Sequence, residues 1–407
     1  MNFPGQPARG QPARAQPARG QPDVVVVGAG VVGAACALSL AQLGLEVALV
    51  EASEPPRWQA ARRDLRVYAF APDNAALLDG LHAWHDVIAA RAQPYRRMRV
   101  WDAAGGGELS FDADAFGRRE LGWIVEHALL VDRLWARLAA AGVRVLCPAR
   151  VEALAQDEQA VRLQLDDGTR LASRLVVAAD GAESSVRALA GIDAPRHDYH
   201  QRGIVAYVST TRPHEHTAWQ RFLPGGPLAV LPCGEGLSSI VWSAPDAEAT
   251  RLLALDDVAF AAELTRAFDA RLGDVALASP RAAFPLRRQL AQAQFAGRVL
   301  LVGDAAHVVH PLAGQGVNLG LRDVAALRDG VAAALRMRAD WSAPQRLARW
   351  ARTRRSENTL AAHAFEGLLR LFANDNLPAT LLRGPLLGLA GRMPPLAHLL
   401  WRRASGV

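Results

Sequence analysis

Three clusters of glycine and carboxylate in this 407-residue chain have the types and spacing of a dinucleotide site. The longest reads Gly303-Asp304-Ala305-Ala306-His307-Val308-Val309-His310-Pro311-Leu312-Ala313-Gly314-Gln315-Gly316-Val317-Asn318-Leu319-Gly320. Its aspartate follows the apolar run Val299-Leu300-Leu301-Val302. A carboxylate at the carboxyl end of a strand lies where open α/β sheets bind ligands. The Pro-x-x-Gly-Gln-Gly turn carries little side-chain bulk, so its backbone can approach a flat cofactor closely. The helix amides that follow can meet negative charge.

The second cluster is Gly28-Ala29-Gly30-Val31-Val32-Gly33, preceded by Asp23-Val24-Val25-Val26-Val27 and followed by a helix-forming stretch up to Gly44. Leu45 to Val50 then form a second strand ending in Glu51. Gly28 makes the tight turn, Gly30 admits a pyrophosphate, Gly33 lets helix and strand pack, and Glu51 accepts hydrogen bonds from the adenosine ribose. A lone Gly-x-Gly-x-x-Gly is weak; here strand, helix and acid accompany it. The third cluster, Asp180-Gly181-Ala182-Glu183-Ser184-Ser185-Val186-Arg187, follows the strand-like Arg174 to Ala179. By itself it describes an N-capped helix, with Asp180 or Ser184 as cap. Beside the other two it reads as a further cofactor segment. Together the clusters point to a flavin dinucleotide.

The elements that must position these residues are those of a Rossmann-like α/β domain with an antiparallel-sheet substrate domain and a helical carboxyl-terminal region. The cofactor domain is discontinuous, residues 23–197 and 280–345, with its strands and helices drawn from 23–70, about 118–190 and 280–345. Leu130 to Ala141 has helical apolar spacing, Val143–Leu146 and Val161–Leu165 alternate as strands, and Asp166-Asp167-Gly168-Thr169 is a hairpin turn. Residues 198–279 hold short strands divided by Pro and Gly, with a helix from about Asp257 to Leu272. This sheet is expected to roof a substrate pocket whose other wall is the cofactor. His214 and His216 read as a solvated loop, His307 and His310 as parts of the long motif, and no metal site is expected. Residues 346–407 are expected to be helical, with Arg346, Arg349, Arg352, Arg354 and Arg355 on a solvated face.

Composition narrows the chemistry. All 46 basic residues are Arg, which excludes lysine Schiff bases and phosphate-loop lysines. The net charge of +6 is modest for the length, and no nucleic-acid partner is expected. Cys36, Cys147 and Cys233 are odd in number and lack metal spacing, which fits a reducing cytoplasm. The near-repeat of Gln-Pro-Ala-Arg in residues 1–22 reads as a disordered, dispensable tail without an apolar signal region. Leu377 to Trp401 is apolar but broken by Arg and Pro, which suits either a membrane surface or domain packing, not a spanning helix.

The three clusters in this order resemble the para-hydroxybenzoate hydroxylase type of flavoprotein, and within it the ubiquinone-biosynthesis FAD hydroxylase family. Asp64-Leu65-Arg66 with Ala69 and Asn74 to Leu78, Leu121-Gly122-Trp123-Ile124-Val125-Glu126, Leu371 to Asp375 and Arg403 to Gly406 carry the resemblance, which spans about residues 23 to 406. The chain departs from the pattern at Ser405, where Met is usual, and at Val131, where a polar Gln or His often stands.

The resemblance implies FAD, with NAD(P)H as co-substrate and O2 as oxidant acting through a flavin 4a-hydroperoxide. It implies a prenylated aromatic substrate that gains a ring hydroxyl. It places the catalytic turn at Pro311, Gly314, Gln315 and Gly316. Cofactor contacts are implied for Gly28, Gly30, Val32, Gly33, Glu51, Ala52, Arg66, Asp180, Gly181, Gly303, Asp304, Pro311, Gly314, Gln315, Gly316, Val317 and Asn318. Peripheral association with the inner face of the membrane, and membership of a biosynthetic complex or homo-oligomer, are compatible with it. A hydroxylase of a small soluble aromatic and a flavin-binding scaffold subunit remain alternative readings.

Overall fold

The computed structural model describes residues 21–103, 107–310 and 316–372. Residues 1–20 of the expected amino-terminal tail, the Pro311–Gln315 part of the catalytic turn, and the carboxyl-terminal stretch from residue 373 lie outside the described residues, while Pro22, at the tail's end, is buried.

A six-stranded sheet forms the cofactor layer, in the order Phe295–Ala296, Val299–Leu301, Leu175–Ala178, Val24–Val27, Val47–Val50, Arg144–Leu146. Its inner strands are parallel: Val24–Val27 lies between Leu175–Ala178 and Val47–Val50. Every side chain of Val24–Val27 is buried. Val24 and Val26 pack on a core containing the helices Val31–Ala41, His127–Leu138 and Gly316–Arg336. Val25 and Val27 pack on the opposite core, which holds a three-stranded antiparallel sheet of residues 151–173. Burial on both faces is why this strand is continuously β-branched instead of alternating. The small sheet turns at Gly168, whose φ is +82°, between Val161–Leu165 and Arg170–Ser173.

The second large sheet is wider than residues 198–279. Its strand order is His307–Val308, Ala282–Leu290, Arg196–Thr210, Leu237–Pro245, Gly226–Pro232, Thr217–Leu223, Arg97–Asp102, Glu108–Asp112, with Val275–Leu277 also on Arg196–Thr210. Two strands therefore come from residues 97–112, and two from the segment assigned to the cofactor domain after residue 280. The sheet is not purely antiparallel either, since Thr217–Leu223 pairs parallel with Arg97–Asp102. The outer face is covered by the helices Asp246–Ala254 and Asp257–Ala267, which bury Ile204, Ala206 and Val208 with Phe260 and Leu264. The inner face turns Tyr207, Ala218, Leu231 and Cys233 toward Ala69 and Ile124. Those two residues belong to a separate three-stranded sheet of Val67–Phe70, Gly122–Glu126 and Gln93–Tyr95.

Two expectations are corrected by burial. Arg346, Arg349, Arg352 and Arg355 on the helix Pro344–Phe372 are exposed, but Arg354 is 6% exposed. It faces the wholly buried Asp323 on Gly316–Arg336, a charge that must be paired to be tolerated there. His214 is not in a solvated loop: it is buried, shares a hydrogen bond with the Cys233 carbonyl at 3.1 Å, and burial lowers its pKa.

Candidate active site

The first half of the site is backbone. Gly28 has φ of +94°, and a Cβ there would lie 2.4 Å from the Ala179 carbonyl oxygen. A Cβ on Gly33 would lie 1.8 Å from the carbonyl oxygen of Gly28. Both positions therefore demand glycine. Around Gly30 nothing lies within 4 Å of an added Cβ, so the start of the helix Val31–Ala41 faces open space. Glu51, at the end of Val47–Val50, accepts the Ala29 N–H at 2.6 Å and the Ser53 N–H at 3.0 Å. A carboxylate has about four lone-pair positions, so acceptor capacity remains for ribose hydroxyls. Ala52 is half-buried beside it. Trp135 closes the turn by donating to the Ala29 carbonyl at 2.7 Å. Val131 is buried in the apolar core behind this turn.

The second half is held by side chains. Gly303 has φ of +59° and donates its N–H to Asp323 at 3.1 Å. His307 meets the same carboxylate at 2.6 Å. Arg354 and Asn358, both from the helix Pro344–Phe372, donate to its other oxygen at 2.8 and 3.0 Å. Burial alone would raise the Asp323 pKa, but His307, Arg354 and Asn358 outweigh it and hold the carboxyl below its usual range. His307 thus anchors the loop through one ring nitrogen, while its Nδ1 has no hydrogen-bond partner among the described residues. Asp304 is half-buried and accepts no hydrogen bond among the described residues. Gly316 opens the helix Gly316–Arg336 with free space beside its Cα, and Val317 follows it, buried.

Val32 joins the halves. A Cβ on Gly303 would lie 3.2 Å from one of its methyls, and a Cβ on Gly320 2.7 Å from the other. Asn318 is a clasp: its side chain accepts from the Ala71 N–H at 3.0 Å and the Asn74 amide at 2.9 Å, and donates to the Ala69 carbonyl at 2.8 Å. Asp180 accepts from the Ser184 hydroxyl at 2.5 Å and the Val186 N–H at 3.1 Å, while Ser184 caps the short helix through the Arg187 N–H at 2.9 Å. The buried Arg187 guanidinium then reaches the Ala305 carbonyl at 2.9 Å, tying this turn to the long motif. Gly181 supplies the turn with φ of +82°.

Arg66 is exposed, its guanidinium 5.5 Å from the centre of the Tyr68 ring. Tyr68 and His127 were not singled out from sequence. The Tyr68 hydroxyl lies 3.0 Å from Nδ1 of His127. Burial, then the charges of nearby carboxylates including Asp304, push the Tyr68 hydroxyl well above its ordinary value. Burial, with the charge of Arg66, lowers His127 to about 4. The pair is neutral near pH 7. Its signal in sequence is faint: Arg66, Tyr68 and Phe70 share a strand face by alternation, but His127 comes from another element. Behind them, Ala69, Ile124, Tyr207, Ala218, Leu231 and Cys233 form an apolar seam between the two sheets. The seam is packed. A cavity of about 10 Å3, lined by Arg63, Arg91, Glu126 and Tyr207 among others, lies at its edge and has room for about one water.

Open space at Gly30 and Gly316, an unengaged Asp304 and residual acceptor capacity on Glu51 fit a dinucleotide lying across both halves. No helix among the described residues is long and apolar enough to cross a membrane.

The model of the FAD binding domain family matches residues 21–361. The chain is 40% identical over 386 residues to the ubiquinone hydroxylase UbiL of Rhodospirillum rubrum, covering 94% of this chain and 89% of that protein. It is 35% identical to the 3-demethoxyubiquinol 3-hydroxylase of Escherichia coli, covering 95% and 98%. Against the human mitochondrial ubiquinone biosynthesis monooxygenase COQ6 it is 32% identical, covering 94% and 92%. Among solved structures, the p-nitrophenol 4-monooxygenase PnpA of Pseudomonas putida superposes with a TM-score of 0.76 at 20% identity, over 95% of this chain and 98% of that one.

Proposed function

From the premise that the chain belongs to the FAD binding domain family and is an FAD-dependent monooxygenase, we propose that it hydroxylates the aromatic ring of a polyprenylated phenol or quinol in ubiquinone biosynthesis, with NAD(P)H as reductant. The observation that carries this reading is the near full-length similarity to hydroxylases named for ubiquinone and demethoxyubiquinol. The overall reaction balances as ArH + O2 + NAD(P)H + H+ giving ArOH + H2O + NAD(P)+. FAD, when bound, supplies two-electron reduction by the nicotinamide and activation of oxygen.

The chain's own residues hold and shield. Gly28 and Gly33 let backbone approach backbone, and Gly30 would leave room for the pyrophosphate. Glu51 would take the adenosine ribose and Asp304 the ribityl region, and Gly316 and Val317 would present helix amides to the ring's negative edge. The apolar seam between the sheets would keep water from chemistry carried out beside bound FAD. The seam leaves space for only about one water at its edge, so a prenyl tail would have to part it, and would then gain about 0.8 kcal/mol per buried CH2. Work at a membrane surface follows from such a substrate.

The test is a series of phenols with successively longer prenyl tails, assayed for NAD(P)H oxidation and hydroxylated product. Turnover at low substrate should rise steeply with tail length and then level off. Equal, tightly coupled turnover of a tail-less phenol would replace this reading with a soluble-aromatic hydroxylase.

A further inference from the structure

We infer that His310 is the group that holds the ring hydroxyl of the phenolic substrate; the assignment rests on the proposed hydroxylation of a phenol. His310 is 2% exposed, yet neither of its ring nitrogens has a hydrogen-bond partner among the described residues. Buried polar groups are rarely left so; His307, three residues earlier, also leaves Nδ1 without a partner but has Nε2 on Asp323, whereas both nitrogens of His310 are open to a ligand. The imidazole meets the Tyr199 ring edge-on, with centroids 5.3 Å apart. Tyr199 lies where the pairing of Arg196–Thr210 with Ala282–Leu290 shifts register, between Asp198 and Gln201. A second orphan belongs to the same edge. Gln289 is 2% exposed and its Oε1 has no partner among the described residues. Gln289 pairs with Val308, two residues before His310.

The chemistry of these orphans selects the ligand. Burial lowers His310 to about 4, so the ring is neutral in working conditions. A neutral imidazole offers one acceptor and one donor. Its free acceptor suits a hydroxyl that gives up a proton in a hydrogen bond, and its uncharged state does not favour an anion. Tyr199 and Gln289 belong to the second large sheet, not to the parallel sheet that cradles the dinucleotide. A phenol O–H donating to the imidazole nitrogen shares its proton there, which enriches the ring at the carbon to be hydroxylated.

The experiment uses the full FAD-loaded chain. 2-Geranylphenol and its methyl ether are titrated by the change in flavin absorbance, without NAD(P)H. Wild type should bind the phenol about tenfold more tightly than the ether, the scale of one net hydrogen bond. His310→Leu should bring that ratio near one, with flavin content and ether affinity unchanged. His310→Gln, which keeps an acceptor, should retain part of the preference. In turnover, His310→Leu should divert NAD(P)H oxidation to hydrogen peroxide. A wild-type ratio in His310→Leu would overturn the assignment, as would flavin loss in step with activity in both variants. If wild type ignores both geranyl compounds but hydroxylates 4-hydroxybenzoate, the prenyl reading falls alone. The His310 assignment is then decided by the same ratio for 4-hydroxybenzoate against 4-methoxybenzoate. No hydroxylated product from any phenol overturns both.

Discussion

Around Gly28 and Gly33 the chain is held by backbone approaching backbone, with 1.8 to 2.4 Å left where a Cβ would sit. Around Gly303 and Asp304 it is held by side chains from elsewhere: Asp323 from the helix that follows, Arg354 and Asn358 from the next, and Arg187 from the turn after residue 180. The first arrangement tolerates no added atom but needs no partner. The second tolerates no missing partner, because each group is buried and charged or polar. One half of the site is therefore vulnerable to enlargement and the other to deletion.

The contrast is sharpest at Gly33. Gly33→Val should destroy the strand–helix contact and destabilise the fold by more than about 4 kcal/mol, seen as loss of soluble yellow protein. Gly30→Ala, in open space, should keep the melting temperature and only weaken FAD. If both variants fold alike, the backbone account of this half is wrong.

Deletion is the matching test of the other half. Asp323→Ala leaves Arg354 and His307 buried without their carboxylate, and should cost about 3–5 kcal/mol in urea unfolding. Arg354→Met in the same background should recover part of that loss. A neutral single variant would mean that the network does not support the loop.

A smaller effect should appear with pH. His127 and His310 both have folded values of about 4, below the ordinary 6.5. The unfolded chain therefore binds more protons between these limits, and stability is complete above 6.5 and falls as the pH drops toward 4. Each group contributes a slope of up to about 1.4 kcal/mol per pH unit. For His127, which is only partly shielded from solvent, the slope should be smaller. His127→Gln should flatten the urea midpoint profile in this window; an unchanged profile would assign the acid sensitivity elsewhere.

The smallest effect on stability is expected at Asp304. It has no hydrogen bond to lose among the described residues, so Asp304→Ala should leave apoprotein stability within about 0.5 kcal/mol. Flavin occupancy should fall before turnover per bound flavin does. Full occupancy with lost turnover would make Asp304 a participant in the chemistry instead of a ligand.

Much of the fold was legible because its cause is local. Four consecutive valines imply a strand buried on both sides, and the sheet buries Val24 to Val27 in that way. Asp166 to Thr169 implied a turn, and Gly168 makes it. The strands Arg97–Asp102 and Glu108–Asp112 were not legible as part of the second sheet. Their membership depends on a parallel pairing with Thr217–Leu223, more than a hundred residues away. Arg354 reads in sequence as one more solvated arginine because its neighbours Arg352 and Arg355 look the same and are in fact exposed.

What the sequence determined by itself was the backbone half of the site. A close approach that excludes Cβ leaves glycine at fixed spacing, and a strand and helix around it complete the pattern. Only the tertiary structure decided which arginine meets Asp323, that His307 meets the same carboxylate, and that neither ring nitrogen of His310 has a partner among the described residues. The reason is physical. Steric exclusion acts on a residue's own Cα and its chain neighbours, whereas the state of a buried polar group depends on which distant elements pack over it, and residue spacing carries no record of that packing.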